Sequence, residues 1–296
     1  MKFTLRKGIV LVLALVFIAS GGMVVADLIQ KQAAEKAYQA AEELVNLPEL
    51  PESVETAPEE PSQSEEKPAE PVVYVDPYAD ALRDMDFTAL REANPDVTGW
   101  ILIPGTKVSY PLVQGDDNEY YLKRTWRKSY SSVGAIFIEE HCSADLSDFN
   151  TIIYGHRMNN GSMFGALDRY KDEAYLKAHP CVYITDDSGC HTYDIFAVYE
   201  APVESPAYAL GLTGDAEKHL VINWSLAQSV VDTGIWPSAE DRIITLSTCT
   251  GKGYETRFVV QAVLRESADE VVEVDEVVEA DETVDAAVEP EEPAAE

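Results

Sequence analysis

Eight short runs of strand-forming residues between positions 100 and 264 limit the folds that this chain can adopt. They are rich in Val, Ile, Thr and aromatic residues, and clusters of Gly, Pro and Asp separate them. The runs are residues 100–103, 108–113, 133–138, 151–154, 182–185, 192–199, 243–247 and 257–264. Eight short strands predict a mainly β domain, built either as a closed barrel or as a sandwich.

Three helices are predicted around these strands. Asp86, Ser162 and Asp215 each stand where a side chain can cap the first turn of a helix. The first helix would end near Asn94, and the second would begin at Met163. The apolar residues expected on their buried sides are Phe87 and Leu90 in the first, Phe164, Leu167 and Tyr170 in the second, and Leu220, Ile222, Trp224 and Leu226 in the third.

An apolar run near the N-terminus predicts a membrane segment. Residues 8–26 carry no charge, and three basic residues precede them. A helix of this length measures about 28 Å, close to the thickness of the hydrocarbon core of a bilayer. The basic residues predict a single-pass anchor in the cell membrane, with a cytoplasmic N-terminus and an extracellular body. A signal peptide cleaved after Ala26 is the alternative, and in both cases the body is exported.

The net charge of −31 is concentrated on both sides of the strand-rich region. Residues 42–80 carry −11 and residues 266–296 carry −14, whereas residues 81–265 carry −9. The Pro- and Glu-rich composition of residues 48–71 predicts an extended spacer, and the acidic repeats after Arg265 predict disorder. The chain lacks the basic face that nucleic-acid binding needs, so we expect no nucleic-acid partner.

These observations predict four parts. They are a membrane anchor at 1–26, a helical and Pro-Glu-rich extracellular spacer at 27–80, a folded domain at 81–265 and an acidic disordered tail at 266–296.

Of the four cysteines, one has a position that predicts chemistry. Cys142, Cys181 and Cys190 are expected to be unpaired thiols without a role, because a hairpin turn at residues 186–189 would place Cys190 opposite Thr185 or its neighbour rather than Cys181. No cysteine pair has metal-ligand spacing, so we predict no metal and no cofactor. Cys249, by contrast, stands where a strand-like run stops and a glycine-containing turn begins.

His156 and Arg257 are the groups that could activate Cys249. A free thiol, with a pKa of roughly 8.5, is mostly protonated at neutral pH, so a nucleophilic cysteine needs a cation or a base nearby. His156 ends its own strand-like run as Cys249 does, and side chains at the ends of two barrel strands can meet at one rim. Arg257 opens the strand after the Cys249 turn, so a hairpin would place its guanidinium beside the thiol. A cation there can stabilise both a thiolate and an oxyanion.

Together these segments resemble the sortases, the cysteine transpeptidases of Gram-positive cell surfaces. TLSTC at 245–249, with Arg257, is similar to the segment around the sortase nucleophile, and TIIYGHRMNNGSMFGALDRY at 151–170 is similar to the histidine segment of class B. Residues 94–122 and 134–139 resemble the opening of class B domains. The resemblance covers about 81–265. It implies an eight-stranded closed β-barrel with an N-terminal helical lead-in and helical insertions, one of them at residues 215–229, between the last-but-one pair of strands.

The resemblance also implies a reaction. Cys249 would attack the backbone carbonyl of a threonine in the C-terminal sorting signal of a surface protein, with a signal of the Asn-Pro-x-Thr type. An amine of peptidoglycan or of a pilin would then resolve the thioacyl-enzyme. His156 would protonate the leaving amine and deprotonate the incoming one, and Arg257 would hold the substrate and its oxyanion.

Five further positions match class B residues around the sorting signal. Asn118 and Leu122 match residues that line the groove, and Tyr154, Ser247 and Thr248 match residues beside the catalytic pair. Core packing is the alternative for Leu122 and Tyr154. The acidic extension after Arg265 departs from the class B pattern. Two other functions stay open, an exported cysteine hydrolase and a membrane-tethered binding module in which Cys249 is inert.

Overall fold

The computed structural model of the protein describes residues 2–48 and 76–265. Its helices are α1 (Lys2–Leu44), α2 (Pro77–Leu82), α3 (Thr88–Ala93), α4 (Glu173–Ala178) and α5 (Asp215–Gln228). Its strands are β1 (Val97–Leu102), β2 (Ser109–Gln114), β3 (Ile136–Ile138), β4 (Asn150–Tyr154), β5 (Cys181–Asp186), β6 (Gly189–Pro202), β7 (Ile243–Cys249) and β8 (Thr256–Leu264). The predicted acidic tail and most of the predicted Pro-Glu-rich segment lie outside the described residues.

The eight strands close into a barrel, in the order β1-β2-β3-β4-β7-β8-β6-β5. The pairs β2–β3 and β4–β7 are parallel, and the other six are antiparallel. The predicted mainly β fold is therefore confirmed, and the barrel is the correct one of the two architectures. Because β4 and β7 run side by side in the same direction, two segments far apart in the chain end at the same rim.

Two apolar clusters hold the domain together. The main core contains residues from all around the barrel, including Trp100, Phe137, Ile153, Leu246 and Val260, each at most 2% exposed. A second cluster lies between the barrel and α5, the helix inserted between β6 and β7, and it includes Phe196, Tyr199, Val221 and Ile222. This insertion agrees with the helix predicted at residues 215–229.

The predicted buried side of α5 is mostly correct, since Ile222 is buried and Trp224 and Leu226 pack against the second cluster, with Leu220 as the exception. Leu220 is 57% exposed, and the buried residues of the helix are Val221, Ile222 and Ser225. Ser225 can be buried because its Oγ lies 3.0 Å from the Tyr199 hydroxyl, so its polar atom is satisfied. The predicted cap is also wrong, since Asp215 is the first helical residue and follows Gly214.

The helix predicted to begin at Met163 is a 3₁₀ helix, Phe164–Lys171. Ser162 does not cap it, because the Ser162 Oγ and backbone N–H both donate to Asn160 Oδ1, at 2.7 and 3.1 Å. The three apolar residues predicted to be buried, Phe164, Leu167 and Tyr170, are buried. They recur every three residues, which is the repeat of a 3₁₀ helix.

The first predicted helix is α3, although its N-cap is Phe87 rather than the predicted Asp86. Phe87 and Leu90 are buried, and the helix ends at Ala93, just before Asn94. The Asp86 carboxylate accepts a hydrogen bond from the Thr88 backbone N–H at 2.9 Å, which satisfies one of the free donors of the first turn.

Helix α1 continues from the apolar run into the core of the domain. Ala34, Tyr38 and Ala41 are buried in the main core. The Tyr38 hydroxyl donates to the Gly134 carbonyl at 2.6 Å, and Trp126 Nε1 donates to the carbonyl of Ala37 at 2.9 Å. This part of the predicted spacer is therefore packed as an element of the domain. By length and composition, α1 is the one helix in the described residues that could cross a membrane, a test that a signal sequence also passes.

Candidate active site

Neighbouring parallel strands bring His156 and Cys249 together. The β4–β7 ladder pairs Tyr154 with Ser247, so the residues two positions further on are level with each other at one rim of the barrel. Neighbouring strands lie about 4.8 Å apart, which sets the separation of the two backbones at this rim. The sheet itself, rather than a long loop, therefore positions the pair.

Arg257 lies opposite Cys249 on the other neighbouring strand. The β7–β8 register pairs the two residues directly. Arg257 Nη1 donates to the backbone carbonyls of Tyr254 and Thr256, at 2.8 and 3.0 Å. No carboxylate in the described parts of the chain forms an ion pair with this guanidinium, so its charge is not neutralised and can act on the thiol.

One cavity of about 300 Å³ contains all eight residues that the sequence analysis named. Its wall includes His156, Cys249 and Arg257, together with Asn118, Leu122, Tyr154, Ser247 and Thr248. Phe137, Val203 and Tyr208 also line it and were not predicted. Leu122 is 37% exposed, whereas Tyr154 is half-buried and packs against the Phe137 ring at a centroid distance of 5.4 Å.

The surroundings of Cys249 favour its thiolate. Interaction with His156 is the largest influence on the thiol and lowers its pKa; the charges of Arg257 and Arg157 act in the same direction, against the effect of burial. Burial instead raises the pKa of the other thiols, to about 11 for Cys142 and Cys190 and about 12 for Cys181. All four cysteines are free, and Cys190 pairs with Thr185 across the hairpin as predicted.

A backbone carbonyl holds the imidazole of His156. Its Nε2 lies 2.7 Å from the carbonyl oxygen of Leu122. Because a carbonyl can only accept a hydrogen bond, Nε2 carries the proton, and Nδ1 is left as the atom that can exchange a proton. Interaction with Cys249 raises the pKa of His156 above its ordinary value, the Leu122 carbonyl adds to this, and burial opposes it.

Gly134 makes this arrangement possible. Its φ of +67° lies in the left-handed region. A Cβ at this position would stand 2.7 Å from His156 Cδ2, 2.9 Å from the Tyr121 carbonyl oxygen and 3.0 Å from that of Leu122. A side chain here would therefore displace either the imidazole or its carbonyl partner. Gly134 opens the segment at 134–139, but the sequence of that segment predicts no role for the glycine.

Asn118 uses both ends of its amide within the protein. Its Nδ2 donates to Glu139 Oε1 at 2.7 Å and to Glu140 Oε1 at 3.2 Å, and its Oδ1 accepts from the Glu140 N–H at 3.0 Å. Burial acts to raise the pKa of Glu139, but hydrogen bonds from Asn118 and His141 outweigh it and lower that pKa. Asn118 therefore ties the cavity wall to the residues that follow β3.

Glu139 and Glu140, together with His141, form the one cluster in the described residues that could hold a metal ion. Glu139, Glu140 and His141 offer ligand atoms within 4.8 Å of one another. The carboxylate of Glu139 already accepts from Asn118 and from the His141 backbone N–H at 2.6 Å. The closeness of these three residues is thus explained by the hydrogen bonds that hold Asn118 and the backbone after β3.

Two hydroxyls next to Cys249 differ in their partners. The Ser247 Oγ is buried and lies 2.8 Å from the Tyr208 hydroxyl, whose pKa burial raises to about 12, so Tyr208 stays protonated at neutral pH. Thr248 is 2% exposed, and its Oγ1 has no hydrogen-bond partner among the described residues. A buried hydroxyl without a partner is unfavourable, so Thr248 is a polar position next to Cys249 that the protein itself leaves unsatisfied.

Arg157 connects the two reactive segments. Its Nη2 forms an ion pair with Asp168 at 2.9 Å, and its Nη1 donates to the Thr250 carbonyl at 3.2 Å. A Cβ on Gly251 would lie 2.8 Å from this Nη1, so glycine at 251 permits the approach. Arg157 follows His156 directly in the sequence, but its reach to the residue after Cys249 depends on the fold.

The chain is similar to one characterised family. Residues 101–265 match the model of the sortase domain. Sortase B of Listeria monocytogenes is 38% identical over 189 residues, which cover 62% of this chain and 74% of that protein.

Two solved structures show the same likeness in three dimensions. Sortase B from Bacillus anthracis has a TM-score of 0.61 and 27% identity, and the match covers 80% of this chain and 98% of that one. The Staphylococcus aureus sortase B–substrate complex has a TM-score of 0.57 and 26% identity, covering 60% and 84%.

Proposed function

Because this chain belongs to the sortase family, as a class B cysteine transpeptidase, we propose that it joins surface proteins to an amine of the cell surface. The surface protein would carry a C-terminal sorting signal of the Asn-Pro-x-Thr type, and the amine would belong to peptidoglycan or a pilin. The observation that carries the proposal is the meeting of Cys249, His156 and Arg257 in one cavity, with the pKa of this thiol alone lowered.

In the first half of the reaction, the Cys249 thiolate attacks the threonine carbonyl carbon of the signal. The carbonyl electrons move to the oxygen, and the Arg257 guanidinium stabilises the resulting oxyanion. When the C–N bond breaks, the leaving nitrogen takes its electron pair and receives the proton from Nδ1 of His156. A thioester on Cys249 and a free amine on the released tail are the products.

In the second half, an amine attacks the thioester carbonyl. His156, now neutral at Nδ1, accepts a proton from the attacking nitrogen, and Cys249 leaves as a thiolate. Nε2 stays hydrogen-bonded to the Leu122 carbonyl. Nδ1 can therefore both donate the proton in the first half and accept one in the second, without a ring flip. An amide bond to the acceptor is formed and the enzyme is regenerated.

The cavity offers apolar and polar groups that suit an extended peptide. Leu122 and Tyr154 provide apolar surface, and Arg257 provides a charged guanidinium. The Staphylococcus aureus relative was solved as a substrate complex, which supports a peptide-binding role for the corresponding surface here. Asn118 contributes by holding the cavity wall, since its amide is occupied by Glu139 and Glu140.

We also propose that α1 anchors the enzyme in the cell membrane in a single pass, with the domain outside. Residues 8–26 are mostly apolar and carry no charge, and three bases precede them. The described side chains of this stretch are exposed in the structure, as expected of a segment that needs a lipid environment.

The test is a transpeptidation assay with a chain that begins at Asp27, so that the packed part of α1 is kept. It is incubated with Asn-Pro-x-Thr and Leu-Pro-x-Thr peptides, with and without an amine, and followed by intact mass spectrometry and chromatography. We expect an acyl adduct and an amide product from the Asn-Pro-x-Thr peptide. Cys249→Ala should form neither, and Cys190→Ser, which removes a half-buried thiol elsewhere, should form both.

Each other outcome contradicts a specific part of the proposal. Adduct followed only by hydrolysis, across a range of amines, would indicate a hydrolase. Preference for the Leu-Pro-x-Thr peptide would overturn the signal type, and an adduct that persists in Cys249→Ala would overturn the nucleophile.

A further inference from the structure

A strongly basic segment interrupts this acidic chain. The sequence has 53 acidic and 22 basic residues, yet residues 120–138 contain four bases and no acid. The bases are Lys123, Arg124, Arg127 and Lys128. We call residues 123–132 the basic hairpin.

The basic hairpin is a defined structure with an exposed outer surface. Arg124 and Tyr130 pair as an antiparallel bridge, and the Thr125 N–H donates to the Ser129 carbonyl at 2.9 Å. Lys123 and Arg127 are exposed, as is Tyr130 at 62%. The segment therefore presents cations and an aromatic ring to its surroundings while its backbone is fixed.

Two of the four cations, Lys123 and Arg127, are both exposed and without an ion pair among the described residues, whereas Arg124 and Lys128 are half-buried. Lys128 forms an ion pair with Asp96 at 2.9 Å, and Arg124 lies 4.3 Å from the centre of the Tyr120 ring. Lys123 and Arg127 form no ion pair within the described residues, although Arg127 lies over the ring of Trp126. These two charges are available to an external anion.

Contacts with α1 place the basic hairpin next to the end of the apolar run. Trp126 is fully buried and donates from Nε1 to the Ala37 carbonyl, and Ser132 Oγ donates to Asp27 at 3.0 Å. Asp27 is the first charged residue after residues 8–26. The hairpin thus runs along α1 from the level of Ala37 to the level of Asp27, about 15 Å of helix axis.

We propose that the basic hairpin docks on the anionic phospholipid headgroups of the bilayer that holds α1, which fixes how the catalytic domain faces the membrane. This inference rests on the proposed anchoring by α1. The headgroup layer occupies roughly 5–8 Å beyond the hydrocarbon core. Lys123 and Arg127 have long side chains, and the Debye length is about 8 Å, so we expect their charges to interact with this headgroup layer. Tyr130, next to the Ser132 contact, has the amphipathic ring that favours the interface.

The experiment uses the full chain in vesicles of phosphatidylcholine alone or with about a third phosphatidylglycerol. A nitroxide is attached at Ser129→Cys on the hairpin, in a Cys249→Ala background, and its collision rate with a water-soluble nickel complex is measured. We expect a collision rate at least twofold lower in the anionic vesicles. The difference should disappear at high salt and in Lys123→Glu/Arg127→Glu.

Two controls isolate the hairpin. A nitroxide at Ala227→Cys, on the exposed side of α5, should give the same rate in both vesicles. The variant Arg83→Glu/Lys177→Glu changes the net charge equally at two other exposed positions and should keep the effect at Ser129→Cys. Equal collision rates at Ser129→Cys in the two lipids would overturn the proposal. So would a difference that persists in Lys123→Glu/Arg127→Glu.

Flotation of the same samples tests the anchoring by α1 separately from the docking of the basic hairpin. If the protein floats with both vesicle types but the hairpin shows no lipid dependence, the anchor stands and the docking surface is wrong. If the protein floats with neither, anchoring by α1 is wrong, and the docking proposal is overturned with it.

Discussion

At the scale of single residues, the environment of each thiol decides which one can react. Cys249 has a cation on β8 and the imidazole of His156, just after β4, within reach, whereas Cys142, Cys181 and Cys190 are affected mainly by burial. Desolvation disfavours a thiolate and a nearby cation favours it, so the same residue type acquires opposite pKa shifts in one molecule.

The first prediction concerns the pH dependence of Cys249 alkylation. A thiol with a lowered pKa is a thiolate over a wider pH range, so the wild type should react with iodoacetamide at a lower pH than an ordinary cysteine. His156 is the largest cause of the lowering, so His156→Ala should move the midpoint to higher pH, and Arg257→Ala should move it in the same direction. Mass spectrometry of the Cys249 peptide measures the midpoint. Midpoints that coincide in all three proteins would contradict the assignment.

The second prediction concerns Gly134. In Gly134→Ala the new methyl group would contact His156 and the Leu122 carbonyl, and a displacement of about 1 Å at a catalytic group costs roughly 100-fold in rate. Gly161→Ala is the matched control, because Gly161 also has a positive φ, +79°, but has open space around its Cβ position. Both variants should lose about 1–3 kcal/mol of stability from backbone strain. Only Gly134→Ala should lose activity, and similar activity in the two would refute the steric argument.

The sequence was sufficient to select the three side chains that meet in the candidate site, but not the groups that orient them. Cys249, His156 and Arg257 could be found because residue type and position at a strand end carry the information. The Leu122 carbonyl could not, since a backbone atom leaves no mark in the residue type. The roles of Gly134 and Tyr208 likewise depend on which segments the closed barrel brings together, and no local pattern contains that information.

At the scale of elements, strands were easier to predict than helices. Runs of β-branched residues bounded by turn residues located all eight strands because each run is buried in the barrel wall. Leu220 was wrongly assigned to the buried side of α5 because Leu220, Val221 and Ile222 are consecutive, so periodicity alone does not choose which of them faces the barrel. The 3₁₀ helix at 164–171 was assigned the wrong type, although its buried residues were correct.

The third prediction concerns the contact between α1 and the loop before β3. In Tyr38→Phe the buried Gly134 carbonyl would lose its 2.6 Å hydrogen bond, so the free energy of unfolding should fall by about 1–3 kcal/mol. Urea denaturation of the chain from Asp27 measures the change. Tyr254→Phe removes a hydroxyl from a residue that is 88% exposed and should have no effect. An equal effect of the two changes would argue against the contact.

At the scale of the whole molecule, α1 is at once the candidate anchor and a part of the folded domain. Composition predicted residues 27–80 as a spacer, but part of this range, including Tyr38 and Val45, is buried in the core. What composition could not reveal is that α1 returns to the core, because this depends on contacts with residues about a hundred positions away, such as Trp126 and Gly134.

The fourth prediction compares chains that begin at Asp27 and at Asp76, both ending at Arg265. The shorter chain lacks the buried side chains of Tyr38 and Val45 and the two hydrogen bonds that α1 makes to the barrel. Burial of two such side chains contributes at least about 3 kcal/mol, so the shorter chain should unfold at a clearly lower urea concentration. Identical midpoints would mean that α1 adds nothing to the stability of the domain.

The parallel ladder between β4 and β7 has a consequence for how activity arises after synthesis. Its two strands are remote in the chain, and such non-local pairs are slow to form. Until they pair, Cys249 is separated from His156 and is an ordinary, mostly protonated thiol. The polypeptide is therefore chemically latent while it folds, and it becomes an acyl-transfer catalyst only when the barrel closes.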